Sequence, residues 1–300
     1  MALRSTEDRH PASDGLHARP GVAVLQDLLA AQSAGLRALE PALEAIGRAA
    51  EAGAQSLRAG GRMAYAGAGS SGLMALADCL ELAGTFGLSP DRTPMLFAGG
   101  VSALLHMIGS VEDDTGLAYT DVERSGMAAG DTVLVLSASG RTPYALAVAS
   151  EARRRGATVV GIANVPDSPL LEAADIPILI DTGPEVISGS TRMAAATAQK
   201  VALNMLSVLV GIRLGHVHDG YMVNLAADNE KLADRAARIV AAVAGVSRAR
   251  ADAALAATGG AVKPAILVAQ GMPPDRALEA LNETGGHLAA VLKTKNQPGD

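Results

Sequence analysis

Apolar residues recur at helical spacing between positions 22 and 59, with Leu25, Leu28, Leu29, Leu36, Leu39, Leu43 and Ile46 among them, and the pattern breaks near Pro41. It predicts two amphipathic helices. Gly60 and Gly61 close the second, and the pattern then changes to short unbroken apolar runs at 62–66, 93–97, 132–136, 158–163 and 176–180. Runs without polar alternation suit strands covered on both faces of a parallel sheet. Helical segments are predicted between them at 73–82, 101–108 and 144–155. This alternation reads as an α/β fold, a doubly wound five-stranded parallel sheet of flavodoxin type. A long apolar helix is expected at 193–214. Beyond Gly220 the pattern is helical to the end, with segments at 229–243, 248–257, 262–270, 274–281 and 286–292 separated by Gly or Pro. That is the signature of a small C-terminal helical bundle, a packing or dimerisation module.

Residues 1–20 are polar and hold Pro11, Gly15 and Pro20, an irregular arm of the kind that stays disordered unless it wraps a partner subunit. The chain therefore divides into an arm with helices (1–50), a sheet domain (51–222) and a small helical domain (223–300).

Composition narrows the function. A hydrophobic fraction of 49% marks a globular chain. With no Trp and two Phe, base stacking and aromatic sugar platforms are not expected, and a net charge of -6 speaks against nucleic acid as a partner. The single cysteine, Cys79, rules out an internal disulfide framework and suits a reducing compartment. Arg4, Glu7, Asp8 and Arg9 precede any apolar run, so no signal peptide is expected. The longest apolar stretch, 201–212, is broken by Asn204 and Ser207 and reads as too short for a bilayer. A soluble, cytoplasmic protein without a membrane partner is expected.

The chemistry is carried by two loops. The 132–136 run ends in Ser137, Ala138, Ser139, Gly140, Arg141 and Thr142, with Pro143 placed for a first helical turn. The 62–66 run ends in Gly67, Ala68, Gly69, Ser70, Ser71 and Gly72. Hydroxyls beside the unpaired N–H groups of a helix start make a cradle for a phosphate, and ligands of such sheets bind at the carboxyl ends of the strands. The plainer reading is a Ser/Thr cap on an ordinary turn. Gly67, Gly69 and Gly72 also satisfy the dinucleotide fingerprint, but that fingerprint expects an acidic residue after the second strand, where this chain has Phe97, Ala98, Gly99 and Gly100. His216 and His218 lack a third ligand nearby, and His106 lies in an apolar segment, so no metal site is expected.

Two carboxylates complete the picture. Glu81 lies in an apolar segment where burial would raise its pKa, and Glu112 precedes Asp113 and Asp114 at the ligand edge. The plainer alternatives are that Glu81 caps or pairs and that the acidic run is a solvated turn.

Taken together the residues resemble the N-acetylmuramic acid 6-phosphate etherase family, whose core is a sugar isomerase (SIS) domain. The resemblance covers nearly the whole chain. It rests on TEDRHPAS (6–13), GRMAYAGAGSSG (61–72), Glu81 with Gly84 to Gly87, Ala98 to Gly100, Glu112 to Asp114, ASGRTPY (138–144), GPEVISGSTRM (183–193), TAQKVALNMLS (197–207) and NEKL (229–232). It implies a lyase that cleaves the D-lactyl ether of a muramic acid 6-phosphate, giving N-acetylglucosamine 6-phosphate and D-lactate, with no metal or organic cofactor. It further implies Glu81 as proton donor to the departing ether oxygen and Glu112 as the second catalytic carboxylate. Ser70, Ser71, Ser137, Ser139, Gly140 and Thr142 would hold the phosphorylated amino sugar. If 72–82 were one unbroken helix, Glu81 would lie about 14 Å along it. Either that helix is shortened or bent, or Glu81 serves a sugar bound by another subunit, and a homodimer with shared sites is expected. The chain departs from the family pattern at Leu73 and Met74, at Leu82, Ala83 and Gly84, and at His10 and His17. Two other activities fit the same fold: a phosphosugar aldose–ketose isomerase, and a non-catalytic phosphosugar sensor similar to the glucokinase regulatory protein.

Overall fold

The computed structural model describes residues 6–106 and 108–295. Residues 1–5 of the expected arm and Met107 of the expected 101–108 helix lie outside them. The chain divides into two units, 1–80 with 91–207 and 81–90 with 208–300.

In the first unit, α1 (Gly21–Arg37) and α2 (Leu43–Arg58) flank a short turn at Glu40–Ala42 that contains Pro41. The sheet strands are β1 (Met63–Gly67), β2 (Met95–Phe97), β3 (Thr132–Leu136), β4 (Thr158–Ala163) and β5 (Ile176–Leu179). They lie in the order β2-β1-β3-β4-β5, all parallel. Every residue of β1 and β3 is buried, which is why neither shows polar alternation. One face packs Val133, Val135, Tyr144 and Val148 into a continuous core. The order reverses direction between β1 and β3, the place where such sheets open a crevice at their carboxyl edge.

The helices connecting these strands are α3 (Gly69–Cys79), α5 (Gly100–His106), α6 (Thr115–Arg124), α7 (Pro143–Arg154) and α8 (Pro169–Ala173); α4 (Leu82–Phe86) falls in the second unit. The single 73–82 helix is corrected to α3 and α4. The first starts at Gly69 and stops at Cys79, and Glu81 occupies the position before α4. The break follows from burial on both sides of it: Cys79 and Leu82 are buried whereas Leu80 is 69% exposed.

The amino-terminal arm is also corrected. From Thr6 onward it is tied to the loop before α9 (Ala194–Arg213) in its own chain. Gly189 donates its N–H to the Thr6 carbonyl at 3.0 Å, the Ser188 hydroxyl to the Glu7 carbonyl at 2.7 Å, and the Ser13 hydroxyl to the Val186 carbonyl at 2.7 Å. His10 caps a short turn over Pro11–Ser13 by accepting the Ala12 N–H on Nδ1 at 3.0 Å.

The helix α9 also changes one expectation. By length and composition it is long and apolar enough to cross a membrane, and 56% of its most apolar window is buried as in a core helix.

In the second unit, Gly211 admits the Phe86 ring where a Cβ would stand 2.7 Å from it. A two-strand antiparallel hairpin, β6 (Val217–His218) with β7 (Tyr221–Met222), interrupts the expected run of helices after Gly220. Among the described residues five helices follow, α10 (Glu230–Ala244), α11 (Arg248–Ala257), α12 (Val262–Ala269), α13 (Pro274–Glu283) and α14 (Leu288–Lys295). They enclose a core that includes Val240, Ile266, Leu267 and Leu281.

Candidate active site

Both hydroxyl loops leave the sheet from neighbouring strands, since Gly67 at the end of β1 is paired with Leu136 at the end of β3. Ser70, Ser71, Ser137, Ser139, Gly140 and Thr142 therefore lie along one edge. The loop after β1 is held tight by a close approach: a Cβ on Gly72 would stand 2.8 Å from the Gly67 carbonyl oxygen and from the Phe97 ring. The glycine spacing that resembles a dinucleotide fingerprint thus has a packing cause here.

The two helices that start at this edge lack side-chain caps. Ala68 precedes α3 and offers no acceptor, and Thr142 precedes α7 without capping it. The Thr142 hydroxyl turns instead to Ser137 Oγ at 2.9 Å, and Ser137 Oγ accepts the Gly140 N–H at 3.1 Å. Ser139 Oγ lies 3.5 Å from Ser137 Oγ and accepts the Arg141 N–H at 3.2 Å. The hydroxyls form a cluster centred on Ser137 and bound to its own loop, at the sheet edge where α3 and α7 begin. Such an arrangement is built to receive an anion.

Among the described residues α6, α10 and α11 are capped by a side chain, whereas α1, α2, α8, α12 and α13 are not. Asp114 accepts the Leu117 N–H at the start of α6, Asn229 the Leu232 N–H at α10, and Ser247 the Arg250 N–H at α11. The buried Glu185 accepts the Ala194 and Ala195 N–H groups at 3.0 and 2.9 Å and so fills the start of α9 with the chain's own carboxylate. Ser190 and Thr191 thus adjoin a helix start that is already occupied.

Glu112 joins the first loop. It lies in a short turn, Gly109–Asp113, and a Cβ on Gly69 would stand 2.6 Å from its Oε1. Gly69 is the first residue of α3 and has φ +53, a left-handed backbone that suits glycine. The carboxylate therefore rests against an uncapped helix start, next to Ser70 and Ser71. Partial burial raises its pKa above the ordinary carboxylate value, and the neighbouring Asp113 raises it further. The acidic run divides its labour: Glu112 faces the loop, Asp113 holds up its proton affinity, and Asp114 caps α6.

Glu81 stands in the second unit, exposed, immediately before α4 and without a capping bond from its side chain. The expectation that an apolar segment would bury it is corrected: Cys79 and Leu82 turn inward while Leu80 and Glu81 turn to solvent. His216 is a half-buried titratable group of the second unit; burial first, then the nearby Lys263, lowers its pKa to about 4. Among the described residues no group of three or more His, Cys, Asp or Glu could hold a metal ion.

Sequence reasoning missed the buried polar network under the first loop. Asp78 accepts the Tyr65 hydroxyl at 2.9 Å and the Lys200 ammonium and Ser207 hydroxyl at 3.3 Å each. A second pair links the end of β4 to α9, where Gln199 donates to Asn164 Oδ1 at 2.9 Å. A polar residue in an otherwise apolar helix was the signal for Asp78, and nothing local named its partners.

Comparison with known proteins completes the description. A family model described as the SIS domain matches residues 29–164. A Deinococcus radiodurans protein named N-acetylmuramic acid 6-phosphate etherase is 41% identical over 290 residues, covering 96% of this chain and 95% of its own. A Streptomyces avermitilis protein of the same name is 44% identical over 251 residues, covering 83% of this chain and 81% of its own. Among solved structures, a Bacteroides fragilis protein described as a phosphosugar isomerase involved in capsule formation superposes with a TM-score of 0.52 at 21% identity, over 67% of this chain and 95% of its own, a likeness of fold.

Proposed function

The chain belongs to the N-acetylmuramic acid 6-phosphate etherase family, and we infer from that membership that it is a lyase cleaving the D-lactyl ether of N-acetylmuramic acid 6-phosphate. The products are N-acetylglucosamine 6-phosphate and D-lactate, in the recycling of cell-wall amino sugars. What carries this reading is identity near 40% that runs nearly end to end in both proteins.

For the reaction we propose that Ser70, Ser71, Ser137, Ser139, Gly140 and Thr142 hold the phosphosugar at the edge where α3 and α7 begin. The ring opens to the aldehyde, which acidifies the proton on C2. Glu112 takes that proton; the C3–oxygen bond breaks and Glu81 protonates the departing lactate oxygen, since an alkoxide leaves poorly unprotonated. Water then adds to C3 of the unsaturated aldehyde, giving a proton to Glu81, while Glu112 returns its proton to C2. Protons and electron pairs balance over the two halves. The raised pKa of Glu112 and its place against Gly69 support its role as the base.

A homodimer with shared sites is part of the same proposal. Val22, Leu25 and Leu29 form an apolar stripe on α1, each 65–69% exposed, of the kind that pairs with another chain. The proposed location is the cytoplasm, in keeping with the lone buried Cys79.

The test is incubation of the purified protein with N-acetylmuramic acid 6-phosphate, following D-lactate for the parent, Glu81→Gln and Glu112→Gln. Lactate from the parent and its loss in both variants is the expected result. No lactate from a parent that still binds the phosphosugar in a calorimeter would reject the etherase in favour of an isomerase or a sensor. Sedimentation of the parent and of Leu25→Glu measures the dimer, which the variant should weaken.

A further inference from the structure

The substrate of the proposed reaction carries two anionic groups, a phosphate on C6 and the carboxylate of the lactyl ether on C3. The segments that meet at the sheet edge are 67–72, 109–114 and 137–142. They contain three carboxylates, Glu112, Asp113 and Asp114, and one basic residue, Arg141. Hydroxyls and backbone N–H groups can hold one phosphate, but they supply no full positive charge to offset a second anion brought beside Glu112.

Arg141 is placed to do so. Its backbone is pinned, because its N–H donates to Ser139 Oγ at 3.2 Å, beside the hydroxyl cluster. Within this loop Ser137, Ala138 and Gly140 are buried, Ser139 and Thr142 half-buried, and Arg141 alone is exposed. The hydroxyl cluster is thus buried or half-buried while Arg141 stands on the rim. Its side chain makes no hydrogen bond or ion pair among the described residues. Several arginines of the chain are engaged, Arg62 with Asp131, Arg153 with Asp175, Arg154 and Arg155 with Glu151, Arg248 with Asp234, and Arg276 with Glu283. Of those that, like Arg141, have no side-chain partner among the described residues, including Arg37, Arg48, Arg124, Arg192 and Arg235, none lies in the three segments at this edge. A free, planar, permanently charged fork at the mouth of an anion cradle matches a carboxylate in two-point contact.

We propose that Arg141 is a specificity residue that binds the carboxylate of the lactyl group, so that the protein holds its substrate more firmly than its phosphosugar product. The inference rests on the etherase reading. It divides the two anions between two devices: the inner hydroxyl cluster takes the phosphate, common to substrate and product, and the rim guanidinium takes the carboxylate, which only the substrate carries in covalent union with the sugar. Once the ether is cleaved, Arg141 is left with free lactate, held by that one contact and quick to leave.

The experiment compares the parent with Arg141→Met and Arg141→Lys, using N-acetylmuramic acid 6-phosphate and N-acetylglucosamine 6-phosphate as probes. Lactate release gives kcat/KM, and calorimetry gives the affinity for each sugar phosphate. For Arg141→Met the expected result is a loss of about 10- to 100-fold in kcat/KM, the size of one charge-assisted contact. Affinity for N-acetylglucosamine 6-phosphate should stay within about twofold, and Arg141→Lys should recover part of the loss. Equal loss of affinity for both sugar phosphates would overturn the proposal and assign Arg141 to the phosphate. No loss for either would remove it from the site. Should the parent release no lactate, the etherase reading fails on its own, while the substrate-over-product affinity ratio, and its collapse or survival in Arg141→Met, still decides whether Arg141 reads the carboxylate. Because the side chain is exposed, thermal melts of the variants should match the parent.

Discussion

Replacing Gly69 by alanine puts a single methyl group between the first hydroxyl loop and Glu112. Two costs follow, and they can be separated. The backbone at Gly69 has φ +53, and an L-residue there costs about 1–2 kcal/mol of stability. The new Cβ would stand 2.6 Å from Glu112 Oε1, about 0.8 Å short of the 3.4 Å at which ordinary contact begins. The carboxylate is the far end of a flexible side chain, so it gives way and the fold survives. A catalytic group misplaced by roughly 1 Å costs on the order of 100-fold in rate. Gly15 supplies the control, for its φ is +64 and a methyl group added there would meet no atom within 4 Å. Gly69→Ala and Gly15→Ala should therefore lose similar stability in denaturant melts, about 1–2 kcal/mol each. Lactate release should fall about 30- to 100-fold in Gly69→Ala and stay at the parent rate in Gly15→Ala. If Gly69→Ala kept its rate within about threefold, the placement of Glu112 against the first loop would not matter to the chemistry, and its role as base would fall.

Three further outcomes are expected. Glu112 must be ionised to accept a proton, and its pKa lies above the ordinary value of about 4.3, so the acid limb of kcat/KM against pH should fall above that value; Asp113→Asn removes one cause and should move the limb to lower pH. Asp78→Ala leaves the Lys200 ammonium and the Tyr65 and Ser207 hydroxyls without their shared acceptor and should cost about 3 kcal/mol in urea melts. Burial lowers the Lys263 pKa from 10.5 to about 8, although its ammonium donates to the Gly215 and Gly286 carbonyls. Between those two pH values the unfolded chain holds a proton that the folded chain has lost, so stability should rise with pH across that window, and Lys263→Met should flatten the rise in thermal melts.

The strands and their helices were legible because a buried parallel strand announces itself in unbroken apolar runs and a surface helix in its 3.6-residue period. The two hydroxyl loops were legible for the same reason: each begins where an apolar run stops. Element ends were less legible where tertiary burial overrides local pattern. Leu80 and Leu82 look alike in the sequence, yet one is exposed and the other buried, and the helix expected through both breaks between them. The apolar company around Glu81 suggested burial, but only Cys79 and Leu82 turn inward, while Leu80 and Glu81 stay outside. The arm read as unstructured because its anchors, Ser13 to Val186 and Ser188 to Glu7, lie more than 170 residues apart.

What the amino-acid order determined by itself was local and periodic: which runs are strands, which are helices, where hydroxyls and glycines punctuate them, and, through motif order, the family. What only the folded chain decided was which polar groups meet. Asp114 and Glu185 became helix caps while Ala68 and Thr142 left two helix starts open, and Glu112 came to rest on Gly69 from a turn more than 40 residues away. The physical reason is that a hydrogen bond or a charge acts over a few ångströms in space, whereas a sequence pattern reports only neighbours within a few turns or strand steps. Chemistry at a sheet edge is therefore named by the sequence but aimed by the fold.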